Sequence, residues 1–133
     1  MITSDSLEVM KLRRCIENMD LHHQVIEEYN GEDALITLGE LADKNNLPNV
    51  IFVDFNVSKI NITELLDIFN SYEELRKIPL VLLTNCDPHA IMNQEMKSIF
   101  KGSISKDLNY SDYLKEIKNI FELSQSDRIR NVS

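Results

Sequence analysis

Several residue types that announce particular chemistries are scarce in this chain. It holds two cysteines, Cys15 and Cys86, too few for a disulfide framework. The histidines, His22, His23 and His89, have no ligand-like spacing with them, which argues against a structural zinc site. Three glycines, Gly31, Gly39 and Gly102, cannot build a phosphate-cradling loop, and no Ser–His–Asp array or nucleophile elbow is present. A small enzyme on an α/β sheet is therefore disfavoured. Positive charge is scarce too: the formal net charge is −8, and no basic stripe tracks a phosphate backbone. The short "DRIR" near the C-terminus does not alter this, so nucleic acid is an unsuitable partner. Apolar runs such as "IPLVLLT" are far too short to span a bilayer. "MITSDSLEVMKLRR" lacks the apolar stretch of a secretory signal. The expectation is a cytoplasmic protein with no membrane partner.

What is present suits one compact domain. The chain has 133 residues and 43% hydrophobic content, enough for a real core. Val9, Leu12, Ile16 and Met19 recur at helical spacing, with Arg13, Arg14 and Glu17 opposite. "HQVIEEY" (23–29) is a short strand candidate. A helix follows with Ala34, Leu35, Leu38 and Leu41 on one face. "LPN" breaks it and leads into "VIFVDF", a continuous apolar run of the kind found in a strand buried on both sides. "NITELLDIFNSYEELRK" reads as one helix whose core side is Leu65, Leu66, Ile68 and Phe69. "IPLVLLT" is the next strand, with Pro79 at its first residues, where a missing N–H is tolerated. Asp87-Pro88 starts a helix carrying Ile91, Met92, Met96 and Ile99. "GSIS" (102–105) is the weakest strand. "SDYLKEIKNIFEL" is a last helix packing through Leu114, Ile117 and Phe121, and a polar tail (124–133) that frays follows it. Strands alternating with helices imply a parallel sheet covered on both faces.

An open parallel sheet carries every strand's C-terminal end on one edge, where ligands bind. The last three strands end in Asp54, Thr84 and Lys106. Topology thus brings a carboxylate, a hydroxyl and an ammonium to one rim. A carboxylate can act as the nucleophile that forms an acyl phosphate. A hydroxyl and an ammonium can donate charge-assisted bonds to phosphoryl oxygens. The bland alternatives are an Asp54–Lys106 ion pair closing the rim and a Thr84 that bonds its own backbone. Asp5 reads most simply as a helix cap. Cys86 is a lone thiol near a loop, and Met92, Met96, Tyr110 and Tyr113 suit helix packing.

From about Met1 to Leu123 the chain resembles the receiver domain of two-component response regulators. The residues that carry the likeness are "VIFVDFN" ending in Asp54, "IPLVLLT" ending in Thr84, and "GSISK" ending in Lys106. The resemblance implies a flavodoxin-like (CheY-like), doubly wound, five-stranded parallel sheet in the order 2-1-3-4-5. It implies that Asp54 accepts a phosphoryl group from a histidine kinase or phosphotransfer protein, with Lys106 pairing with the acyl phosphate and Thr84 turning towards it. Such a domain signals through a downstream protein and is not an enzyme beyond self-catalysed phosphoryl transfer and autodephosphorylation. A Mg²⁺ ion would be held by Asp54 and the main-chain carbonyl of Asn56. The last helix–strand–helix unit (about Pro88 to Leu123) would be the partner face, or the face of a homodimer.

This sequence departs from the family's pattern in several places. The two adjacent acids expected at the end of the first strand fall on Thr3 and Ser4, with Asp5 just beyond, so at least one acid is missing. Mg²⁺ binding is expected to be weak or lost, with Asp5 its doubtful third ligand. Only "MIT" serves as a first strand, short of the usual five or so residues. That strand is stunted, or the natural chain begins upstream. Ser103 stands where an aromatic is usual, Asp107 for the proline after the lysine, Asn85 for a small residue, and Ser58 and Ile62 for a loop proline and glycine. Together these changes raise a second reading, a pseudoreceiver that binds partners constitutively without phosphate.

Overall fold

The computed structural model describes residues 1–19, 23–55 and 62–132. Helix α1 (Ser6–Asn18) starts where the Asp5 carboxylate accepts the Leu7 N–H at 3.0 Å, and it buries Val9, Leu12, Cys15 and Ile16 on one face. Helix α2 (Gly31–Asp43) is capped by Asn30, whose side-chain oxygen accepts the Asp33 N–H at 2.8 Å, and buries Ala34 and Leu38. Strand β1 (Ile51–Asp54) is buried at all four positions, as its uninterrupted apolar run predicts.

The single helix expected after β1 is two. Helix α3 (Ile62–Ser71) buries Leu65, Leu66 and Phe69, and helix α4 (Glu73–Arg76) follows an extended Tyr72. The break turns Leu75 and Ile78 onto the core. Strand β2 (Leu80–Thr84) is buried throughout. The helix predicted from Pro88 is also interrupted, giving α5 (Pro88–Ile91) and α6 (Gln94–Ile99). Asn93 causes the second start, because its side chain accepts the Met96 N–H at 2.8 Å and so competes with continuous helix. Strand β3 (Phe100–Ser105) begins two residues before the predicted "GSIS". Helix α7 (Tyr110–Val132) runs past the boundary expected at Leu123, so the predicted tail is helical through Val132.

The three strands form a parallel sheet in the order β1-β2-β3. The two strands predicted nearest the N-terminus are reduced to parallel bridges, Ile2 with Glu28 and Ile2 with Val53. Backbone bonds support both: Ile2 N–H donates to Phe52 C=O at 2.7 Å, and Thr3 N–H donates to Glu28 C=O at 2.9 Å. The spatial sequence Glu28, Ile2, β1, β2, β3 is therefore the predicted 2-1-3-4-5 order with its first two members cut to a minimum.

Alternation along the strands divides the core. Ile51, Val53, Leu80 and Leu82 pack with α2, α3 and α6 through Leu38, Leu65, Phe69 and Met96. Phe52, Val81, Leu83 and Ile104 pack with α1 and α7 through Leu12, Ile16, Tyr113 and Ile117. Beside the short first strand, at the rim opposite Asp54, a cavity of about 260 Å³ is lined by Leu12, Leu38, Val50 and Phe121 among others.

Candidate functional site

Strand register places the predicted trio. Asp54 ends β1 opposite Leu83, and Thr84 ends β2 opposite Ser105, the residue before Lys106. Phe55 N–H donates to Leu83 C=O and Lys106 N–H to Thr84 C=O, each at 2.9 Å, so the ladder fixes the backbone one residue beyond the sheet. Asp54 and Thr84 are 2% and 1% exposed.

A carboxylate this deep is costly unless its charge is compensated. The Lys106 ammonium sits 2.5 Å from Asp54 Oδ2. The same oxygen accepts the Thr3 hydroxyl at 2.7 Å. Both are charge-assisted bonds, the strong class of hydrogen bond. The Thr3 hydroxyl is also used on its other side, accepting the Asp5 N–H at 3.1 Å. Its single proton therefore goes to Asp54, and its lone pair fixes the turn from the first strand into α1.

Thr3 is the residue that reading the sequence missed as a site residue. It was located as an absence, a place without an acid. The available signal was a short side chain with a proton to give, at the end of a strand adjacent to Asp54. The hydroxyl supplies a hydrogen bond where an acid would add a second negative charge.

Thr84 reaches the rim, but its hydroxyl accepts the Cys86 N–H at 3.0 Å, the local backbone bond weighed above as its bland alternative. Asp5 has the simpler of the two roles expected for it. Its carboxylate caps α1 by accepting the Leu7 N–H. Asn56 and Ser58 lie outside the described residues. Ser105 Oγ accepts the Asp107 N–H at 3.2 Å, and among the described residues no peptide bond is cis.

Mg²⁺ demands near-octahedral oxygen coordination and is usually held through one or two carboxylates and substrate phosphate. Among the described residues no group of three His, Cys, Asp or Glu side chains could hold a metal ion. The donors gathered here are Asp54, already engaged by a cation and a hydroxyl, and Thr3, whose hydroxyl gives its proton to Asp54 and accepts the Asp5 N–H. Among the described residues these donors alone do not complete a Mg²⁺ shell. Cys86 is exposed, while Cys15 is buried and burial pushes its thiol pKa up. Among the described residues no helix is long and apolar enough to cross a membrane.

No protein-family model matches this chain, and no curated protein matches it in sequence. Solved structures do match. The phosphorylated cyanobacterial phytochrome response regulator RcpA superposes with TM-score 0.76 at 22% identity, covering 95% of this chain and 91% of that one. A response regulator in red-light signalling of R. palustris gives TM-score 0.74 at 17% identity, covering 90% and 87%. The Mn²⁺-bound form of the response regulator Rcp1 gives 0.70 at 20% identity, again covering 90% and 87%. Parallel strands, alternating helices and an acid at the C-terminal end of β1 thus lead to one conclusion: this chain has the CheY-like fold of response regulator receiver domains.

Proposed function

We propose that this chain is a receiver module of two-component signalling, in which Asp54 accepts a phosphoryl group and a protein partner reads the change. The observation that carries this reading is the 2.5 Å contact between the Asp54 carboxylate and the Lys106 ammonium at the C-terminal rim of a parallel sheet. The donor would be a phosphohistidine on a histidine kinase or phosphotransfer protein. An Asp54 oxygen forms the new P–O bond, the donor's P–N bond breaks, and its electron pair returns to the imidazole nitrogen. Lys106 would bond the phosphoryl oxygens, whose charge of about −1.5 to −2 replaces the single negative charge of the free Asp54 carboxylate. Thr3 would surrender its bond to Oδ2 or transfer it to the adduct, and the Thr84 hydroxyl would turn to donate its proton to a phosphoryl oxygen. Those exchanges alter the loops at the rim, which is the change a partner reads. The module would work in the cytoplasm.

Intact-mass spectrometry after incubation with a small phosphodonor tests this. One phosphoryl adduct is expected on the native chain and none on Asp54→Asn. A native chain that stays unmodified over a range of donor and Mg²⁺ concentrations would overturn the reading.

A second reading is favoured by one specific observation. Asp54 is already bonded by Thr3 and Lys106, and among the described residues no group of three acidic, His or Cys side chains could hold a metal ion. Such a rim suits a pseudoreceiver that binds its partner without phosphate. Under that reading Asp54→Asn leaves partner affinity unchanged, whereas under the first it removes the response to phosphodonor.

A further inference from the structure

Lys106 is held at three points. Its N–H donates to Thr84 C=O at 2.9 Å, and its ammonium lies on Asp54. Its own carbonyl accepts a bond from the Lys11 ammonium at 3.2 Å, from a residue 95 positions earlier. Lys11 is itself fixed twice. Glu8, one turn back on α1, pairs with it at 2.8 Å, and its ammonium lies 5.0 Å from the centre of the Tyr113 ring on α7.

The surroundings of that ammonium are unusual. Glu8 is 3% exposed and Tyr113 fully buried, yet among the described residues Glu8 Oε2 and the Tyr113 hydroxyl have no hydrogen-bond partner. An exposed Glu–Lys pair one turn apart needs no explanation, because a solvated helix face commonly carries such pairs. A buried one with an unmatched oxygen is costly, and apolar residues of similar volume commonly serve stability as well or better. Packing therefore does not account for Glu8. Aiming does: Glu8 and Tyr113 fix the Lys11 ammonium where it meets the Lys106 carbonyl, just beyond the last N–H the sheet ladder holds.

We propose that Lys11 is a positioning residue for Lys106, held in place by Glu8 and Tyr113, so that the loop after β3 presents the Lys106 ammonium to Asp54. Its consequence for phosphoryl transfer rests on the function proposed above; the positioning does not. Without Lys11 the carbonyl of Lys106 loses its anchor and the side chain samples orientations away from Asp54. Displacements of this kind slow reactions without weakening substrate binding.

The test uses the full chain and its lysine ε-ammonium signals in ¹H–¹⁵N NMR, with the Lys106 signal identified by its loss in Lys106→Arg. In the native chain this signal is expected to exchange slowly, because the ammonium is ion-paired. Lys11→Met is expected to return it to the position and fast exchange of solvated lysines, and Lys11→Arg to restore it. The double variant Glu8→Gln/Lys11→Met removes both charges together; it provides a folded comparison should the single variant unfold, and it is expected to lose the signal as well. A Lys106 signal unchanged in either folded variant overturns the proposal. With a small phosphodonor, Lys11→Met should slow adduct formation about tenfold at unchanged half-saturating donor concentration. A native chain that forms no adduct would count against the phosphoacceptor reading alone, since the ammonium signal still decides the positioning.

Discussion

On one face of the sheet, Ile51, Val53, Leu80 and Leu82 meet Ala34, Leu38, Leu65, Phe69 and Met96 in a cluster built from hydrocarbon and thioether. On the other, Phe52, Val81, Leu83 and Ile104 meet α1 and α7, and between those helices lie the buried Glu8, the fully buried Tyr113 and the ammonium of Lys11. The first face has what stability needs. The second holds polar groups that stability alone does not ask for, and they lead by contact to Lys106 and thence to Asp54. The comparison separates residues that make the fold from residues that set the rim.

Leu82→Ala should produce the largest loss of stability on the hydrocarbon face. Leu82 is fully buried in the central strand, and removing such a side chain costs about 2–5 kcal/mol through lost burial and the cavity left behind. Urea denaturation measures it. The division between the faces also predicts that the folded variant keeps the native Lys106 ammonium signal. A changed signal would mean that the rim is set by general packing, and the contrast between the faces would fail.

Thr3→Val should come next, at about 1–3 kcal/mol. The substitution keeps the shape but withdraws the proton given to Asp54 Oδ2, leaving a buried charge short of one bond. Denaturation again gives the number. A loss below about 0.5 kcal/mol would show that Lys106 alone satisfies the carboxylate. Thr3→Asp sharpens the point from the other side. A second carboxylate beside Asp54 should raise Mn²⁺ affinity at least about tenfold, equivalent to 1.4 kcal/mol, as read by paramagnetic broadening near Asp54.

The sequence made the sheet order and the Asp54–Lys106 pair legible for one reason. Continuous apolar strands such as Ile51–Val53 and Leu80–Leu83 end at polar residues, and parallel topology brings those ends together. It did not reveal where helices break. Asn93 and Tyr72 interrupt stretches whose apolar periodicity runs on, because a cap bond or an extended residue acts at one position while periodicity averages over many. Thr3 was hidden for a different reason. A hydroxyl's role depends on what lies across the neighbouring strand, 51 residues away in sequence. Lys11 and Glu8 were hidden because charged residues on an amphipathic helix read by default as its solvated side.

The smallest expected effect belongs to Tyr113→Phe, and it tests the contrast most finely. The hydroxyl is buried without a partner among the described residues, and burial raises its pKa well above the usual tyrosine value, so the group is neutral throughout the physiological range. Removing a partnerless buried hydroxyl is close to neutral or slightly stabilising, within about 1 kcal/mol. The phenyl ring keeps the face on which the Lys11 ammonium rests, so the Lys106 signal should persist. A stability loss of about 2 kcal/mol or more would instead mean that the hydroxyl has a partner, with water between it and Glu8 the natural arrangement for two orphaned buried oxygens. In that case the second face would be a satisfied polar network contributing to stability, and Glu8 would need no role in aiming Lys11.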